Sequence, residues 1–176
     1  MSVESQVPSI SVVIVSFNTR DLLRECLQSL KERSENISKE VFVVDNVSRD
    51  GSADMVTSEF PEIHLIRNDV NRGFAGANNQ AFSRVTGRYV VLLNSDAFLQ
   101  GNALSVAIDH MERETIVGIG GARLLGRDGS WQPSARLFPS PLNHFLTISG
   151  LSARFPNSRF FGRKTGLVRT RTKPPM

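Results

Sequence analysis

Apolar positions along this chain alternate between two rhythms. Ile10 to Val15 is a β-rich apolar run bounded by Pro8 and Asn18. From Arg20 to Arg33, Leu22, Leu23, Cys26, Leu27 and Leu30 fall at helical spacing, so the pair predicts a strand followed by an amphipathic helix. The pattern then repeats. Glu40 to Val44 predicts a second strand, Asp50 to Phe60 a short helix, Ile63 to Arg67 a third strand, and Phe74 to Val85 a helix with mixed faces. Arg88 to Leu93 predicts a fourth strand, Gly101 to Glu112 a helix, and Val117 to Leu125 a further strand leading into a turn at Asp128-Gly129. Beyond Pro133 the rhythm fades among Pro139, Pro141, Pro156, Pro174 and Pro175, with Leu142 to Leu151 as the one helical stretch. Strands that alternate with helices and are apolar on both faces predict an α/β fold, a parallel sheet covered by helices.

Such sheets bind ligands at the carboxyl ends of their strands, which directs attention to the loops beginning at Ser16, Asp45, Asn68 and Asn94. Asp45 ends the second strand, where a carboxylate can accept hydrogen bonds from a ribose or a base edge. It is equally suited to satisfying a turn, with Ser48 or Asp50 capping the next helix. Asn94-Ser95-Asp96 follows the fourth strand at the same edge. A single carboxylate there suits a hard cation shared with a diphosphate, since magnesium keeps few protein ligands, but the segment could also cap the helix beyond Gly101. The stretch from Asn71 to Asn79 brings glycines to a loop without G-x-G-x-x-G spacing and not directly after a strand, which disfavours a dinucleotide site.

Composition narrows the setting. One cysteine, Cys26, excludes an internal disulfide framework, and three scattered histidines leave no zinc-type spacing, so a reducing, cytoplasmic compartment fits. No apolar run is long enough for a membrane span, and the N-terminus lacks a signal-peptide pattern. The 13 Lys and Arg up to Asp128 face all 17 carboxylates, whereas the last 48 residues carry eight Lys or Arg and no acid. Within that stretch the basic, proline-containing segment 141–176 is expected to be partly disordered. It allows peripheral contact with an anionic membrane surface, while no nucleic-acid-binding signature accompanies it.

Four ordered motifs carry a family resemblance: Val12-Val13-Ile14-Val15-Ser16-Phe17-Asn18, Val44-Asp45-Asn46-Val47-Ser48-Arg49-Asp50-Gly51-Ser52, Asn71-Arg72-Gly73-Phe74-Ala75-Gly76-Ala77-Asn78-Asn79 and Leu92-Leu93-Asn94-Ser95-Asp96. Through them the chain resembles the family 2 glycosyltransferases of the GT-A (Rossmann-like) fold, especially the rhamnosyltransferase-like members, over residues 9 to 140. The resemblance implies a nucleotide-sugar-binding domain over residues 1–140 that serves inverting transfer to a glycan or lipid-linked acceptor. The implied donor is dTDP-rhamnose or a UDP-sugar, with Mg2+ or Mn2+ as cofactor. Asp45 would meet the pyrimidine, Phe17 the base and ribose, and Ser95 and Asp96 would take the D-x-D-like position, with Asp96 on the metal. Ser16, Asn18, Arg67, Asn78 and Asn94 complete the expected donor contacts, although Arg67 could instead pair Asp69 and Asn78 could serve its helix.

This chain departs from the pattern at Phe17, where the family often has tyrosine, and at Asn94, where the first Asp of a D-x-D would stand. It also has no carboxylate after Asp128, whereas family members run on to an acidic pair that supplies the general base. The expectation is therefore a truncated chain without its base, leaving a donor-binding module without turnover as the alternative. An apolar face uncovered in this way would favour a homodimer.

Overall fold

The computed structural model describes residues 7–132, together with Phe145, Leu146, Ile148–Gly150 and Arg154. The chain forms two units, Met1–Gly120 and Gly121–Met176. In the first, the order is β1 (Ile10–Ser16), α1 (Arg20–Arg33), β2 (Lys39–Asp45), α2 (Ser52–Glu59), β3 (His64–Arg67), α3 (Gly73–Phe82), β4 (Tyr89–Asn94) and α4 (Ala103–Arg113). The strands form one parallel sheet in the order β3-β2-β1-β4. The α/β expectation holds, and the parallel order places the tips of β1, β2 and β4 side by side, with Ser16 opposite Asp45 and Val15 opposite Asn94.

Strand periodicity decides what covers each face. Ile10, Val12, Ile14, Val41 and Val43 point to the face packed by Leu23, Cys26, Leu27 and Leu30 of α1, Met55 and Val56 of α2, and Leu104 of α4. Val13, Phe42, Val44 and Ile66 point to the other, where Ala77 and Ala81 of α3 close on them. β1 is thus buried on both faces. β4 is not: Val90 and Leu92, on the α3 side, are 43% and 50% exposed.

Two expectations change. The run Val117 to Leu125 does not continue the sheet. Only β5 (Leu124–Leu125) is a strand, paired antiparallel with β6 (Trp131–Gln132) in the second unit. Gly118, Gly120 and Gly121 interrupt the run; glycine loses the most entropy on ordering and offers no side chain to pack, and Ile116 and Ile119 are both 93% exposed. The helix predicted through Val85 ends at Phe82, after which Arg84 N–H and Val85 N–H both turn back to Ala81 O. The Asp128-Gly129 turn forms as expected, Gly129 taking φ 77° and Asp128 accepting from Ser130. Of the stretch Leu142 to Leu151, Phe145, Leu146 and Ile148 are helical; most of 141–176 lies outside the described residues. Among the described residues no helix is long and apolar enough to cross a membrane.

At the opposite edge of the sheet from the strand tips, Glu40 Oε1 accepts from Ser11 Oγ (2.5 Å), Thr86 N–H (2.5 Å) and Gly87 N–H (3.1 Å). It thereby ties the starts of β1 and β2 to the turn before β4. Gly87 is required there, because a Cβ would stand 2.5 Å from Ser11 N and 2.6 Å from Ile10 C. Burial disfavours the charged carboxylate, but the bonds from Ser11, Thr86 and Gly87 outweigh it and hold the Glu40 carboxyl below its ordinary value. A lowered folded-state value contributes stability above the unfolded range near pH 4, and that contribution is lost as pH falls through the folded value. Glu40→Ala is therefore expected to cost about 1–3 kcal/mol at pH 7, and the gap to the unaltered chain should narrow below about pH 4 in denaturant titrations.

Cys26 is fully buried on α1, and burial, reinforced by the Asp96 carboxylate, pushes its thiol up to about 12. Its thiolate is thus suppressed at neutral pH, which marks a packing residue rather than a nucleophile. In the folded protein at pH 8, Cys26 should resist a disulfide-exchange reagent and react only after denaturant is added. Rapid labelling without denaturant would contradict this burial.

Candidate nucleotide-sugar site

Three loops converge at the strand tips, and side-chain hydrogen bonds add to the last backbone bonds of the sheet in holding them together. After β1, Asn18 takes φ 54°, a conformation asparagine tolerates. Its N–H donates to Ser48 Oγ (3.0 Å) and its Oδ1 accepts Arg49 N–H (2.8 Å), both from the loop after β2. From that same loop Asp50 Oδ2 accepts Arg20 N–H (2.8 Å) at the start of α1, and Asn46 N–H donates to Ser16 O (2.8 Å). Between these ties sits Val47 at φ 70°, a strained setting for a β-branched residue of about 1–3 kcal/mol that the surrounding bonds sustain.

The glycine-led loop is held by carboxamides. Asn46 Nδ2 donates to Asn71 Oδ1 (2.7 Å), and Asn46 Oδ1 accepts from Arg72 N–H (2.9 Å) and Asn68 Nδ2 (3.2 Å). Asn68 and Gln80 exchange a reciprocal pair of bonds at 2.9 and 2.8 Å. Asn71 Oδ1 also accepts Gly73 N–H, and Gly73 opens α3 at φ 67°. On the other side the loop after β4 rests on α1, where Thr19 Oγ1 donates to Ser95 Oγ, the Cys26 thiol reaches Asn94 O, and Ser29 Oγ accepts Leu99 N–H.

Between these loops lies a cavity of about 440 Å³. Phe17, Leu22, Val15 and Phe74 supply its apolar wall; Asn46, Asn71, Asn94, Thr19 and Ser95 its polar groups; Asp96 its charge. Among the described residues no Lys or Arg lines it. Phe17 and Phe74 are 50% and 59% exposed, so two aromatic faces stand open to a ligand.

The expected site residues divide by place. Phe17, Asn94, Ser95 and Asp96 line the cavity, and Ser16 and Asn18 brace its loops. Asp45 is buried and is not part of the wall; its Oδ2 accepts Ser48 N–H (3.0 Å), while its Oδ1 is, among the described residues, the one buried side-chain oxygen or nitrogen without a partner. Arg67 does not pair Asp69. Its guanidinium lies on α2, with Asp54 (2.9 Å), Thr57 Oγ1 and Ala53 O. Asn78 donates to Phe74 O one turn back in α3. Thr19, Leu22, Asn46, Asn71, Gly73 and Phe74 were not named as donor contacts from the sequence, though Thr19 and Asn46 adjoin residues that were and Asn71, Gly73 and Phe74 lie in the glycine-bearing stretch, and Leu22 stands out now as the apolar position of α1 that the core leaves 36% exposed.

Among the described residues no group of three or more His, Cys, Asp or Glu could hold a metal. The oxygens of Asp96 and Asn94 nevertheless suit a hard divalent cation that takes its remaining ligands from water and phosphate.

A family model described as glycosyl transferase family 2 matches residues 11–171. A Bacillus subtilis (strain 168) protein provisionally named the teichuronic acid biosynthesis glycosyltransferase TuaG is 32% identical over 127 residues, 70% of this chain and 50% of that protein. The Escherichia coli UDP-Glc:alpha-D-GlcNAc-diphosphoundecaprenol beta-1,3-glucosyltransferase WfaP is 30% identical over 61% of this chain and 43% of its own length. The solved structure of the mannosyltransferase PcManGT from Pyrobaculum calidifontis, in complex with GDP-Man and Mn2+, aligns with a TM-score of 0.56 at 27% identity, covering 64% of this chain and 34% of that one. The chain thus spans about half or less of the length of these relatives. With the family model matching most of its residues, and the parallel sheet shared with a GT-A neighbour, the chain belongs to glycosyl transferase family 2.

Proposed function

We propose that the cavity at the strand tips is the donor site of an inverting glycosyltransferase that uses a nucleotide-diphosphate sugar, dTDP-rhamnose or a UDP-sugar. The observation that carries this reading is the buried, unpartnered Asp45 Oδ1, one residue from Asn46 in a cavity wall that also contains Asp96. A buried carboxylate oxygen left without a donor is costly, and a ligand N–H relieves that cost. Uracil and thymine carry such an N–H on their pairing edge. Because Asp45 does not line the cavity, its loop has to relax for that contact. Phe17 and Phe74 then supply stacking surface for the base and ribose, and Asn94, Ser95 and Asp96 face the diphosphate. Arg67 and Asn78 act through α2 and α3 in this reading, since their side chains are already engaged there.

With no Lys or Arg among the described residues of the cavity wall, Asp96 is the residue that would hold Mg2+ or Mn2+ against the diphosphate. When bound, that ion would supply charge stabilisation to the departing nucleoside diphosphate. The acceptor, a glycan or lipid-linked saccharide, attacks the anomeric carbon from the opposite side and needs a base to take its hydroxyl proton. The relatives support the classes involved: UDP-Glc and a diphosphoundecaprenol in the name of one, GDP-Man with Mn2+ in the complex of another. A cytoplasmic setting, with peripheral contact at the membrane face that bears lipid-linked acceptors, belongs to the same reading. So does self-association through the open Val90 and Leu92 face.

One observation favours a second reading, binding without turnover. The only carboxylate in the cavity wall among the described residues is Asp96, already assigned to the metal, so none of these residues is left to act as the base.

Calorimetric titration of UDP and dTDP, with GDP and CDP for comparison, tests the donor site with Mn2+ present and absent. UDP or dTDP should bind in a metal-dependent way. Asp96→Ala should abolish the metal dependence, and Asp45→Asn should weaken binding about tenfold or more. A folded protein that binds none of these nucleotides would refute the donor site. Sugar release from the bound donor would separate the enzyme from the binding module.

A further inference from the structure

A threonine at a helix N-cap ordinarily turns its hydroxyl back to an N–H in the first turn of its own helix. Thr19 stands at the N-cap of α1 and makes no such bond. Its Oγ1 donates instead to Ser95 Oγ at 3.0 Å, from the first strand tip to the fourth, and lies 3.0 Å from Ser16 Oγ. A threonine hydroxyl has one proton. With that proton given to Ser95, the contact with Ser16 is made by the Ser16 proton; Ser16 is fully buried and its hydroxyl makes no other hydrogen bond among the described residues. The chain of hydroxyls therefore runs one way, Ser16 to Thr19 to Ser95. The Ser95 oxygen accepts from it, which leaves the Ser95 proton to donate. Ser95 lines the cavity next to Asp96, so the group its O–H can satisfy there is an oxygen acceptor on a ligand.

α1 holds the rest of the same loop at two further points. The Cys26 thiol donates to Asn94 O at 3.6 Å and Ser29 Oγ accepts Leu99 N–H at 3.1 Å. Those two contacts fix main chain on either side of Ser95. Thr19 alone among the three reaches a side chain that faces the cavity, and it does so by giving up its own cap.

We propose that Thr19 is a positioning residue of the donor site, orienting the Ser95 hydroxyl to donate to a phosphate oxygen of the nucleoside diphosphate held beside Asp96. The proposal rests on the donor-site reading above. Hydroxyls in series polarise one another, so removing the middle member both frees the Ser95 rotamer and weakens its bond to ligand.

The test is calorimetric binding of UDP with Mn2+ to the unaltered chain and to Thr19→Val, Thr19→Ser, Ser95→Ala and the Thr19→Val/Ser95→Ala pair, each checked by thermal melting. Thr19→Val preserves shape and should weaken UDP binding about three- to tenfold, whereas Thr19→Ser should restore it to within about twofold. The double variant should bind no more weakly than Ser95→Ala, because both changes remove the same hydrogen bond. If the valine variant melts far below the others, Thr19→Ala takes its place in the cycle. Equal binding by Thr19→Val and the unaltered chain, failure of serine to rescue, or additive losses in the double variant would each overturn the proposal while leaving the donor site standing. Absence of metal-dependent UDP binding to the unaltered chain would remove both.

Discussion

The first N–H groups of a helix have no partner within it, and α1 does not cap itself. Arg20 N–H is satisfied by Asp50 Oδ2, which belongs to the loop after β2 and at the same time accepts from Ser52 N–H and Ser52 Oγ at the start of α2. One carboxylate thus serves the N-termini of two helices on neighbouring crossovers. Burial opposes its charge, but the bonds from Ser52 and Arg20 prevail and hold the Asp50 carboxyl below its ordinary value. Because α1 depends on a neighbouring loop for this donor, the loops after β1 and β2 form one structure. The reciprocal bonds of Asn18 with Ser48 and Arg49 extend the same dependence.

The Thr19 hydroxyl is also turned away from α1. The sheet order places β1 between β2 and β4, so a side chain at the tip of β1 can reach either neighbour. Asn18 reaches toward β2 and Thr19 toward β4. The cavity lies between, with an apolar wall from β1, α1 and α3 and, among the described residues, its single carboxylate from the loop after β4. The architecture separates support from contact. Glu40 and Gly87 lock the far end of the sheet, away from the described residues that line the strand-tip cavity, and the tips carry the polar chemistry.

Much of this was legible in the sequence because hydrophobic periodicity reports burial directly. Leu23, Cys26, Leu27 and Leu30 fall on one face of α1 and all are buried; the β-rich runs became strands in register. The strand tips at Asp45 and Asn94 were legible because an apolar run ending in a polar residue marks both the end of a strand and the edge where such sheets bind ligands. What stayed hidden depends on contacts between segments far apart in sequence. Nothing local distinguishes Thr19 from an ordinary cap, and its partner Ser95 is 76 positions away. Arg67 reads as a site cation until α2 is seen to present Asp54 and Thr57 to it. The run from Val117 misled because its apolar residues outweighed three glycines that cost it strand order. Leu22 shared the helical spacing of its neighbours but lies at the margin of that face, where it meets the cavity instead of the core.

The central claim is that the strand-tip cavity receives a nucleoside diphosphate together with a divalent cation held by Asp96. Paramagnetic broadening of backbone amide resonances by Mn2+ in the presence of UDP tests it most directly, since the effect falls steeply with distance from the ion. The account predicts broadening centred on Asn94 to Ala97 and extending to Phe17, Thr19 and the Asn71 to Phe74 loop, dependent on UDP and lost in Asp96→Ala. Broadening centred elsewhere, or unchanged by nucleotide and by that substitution, would contradict it.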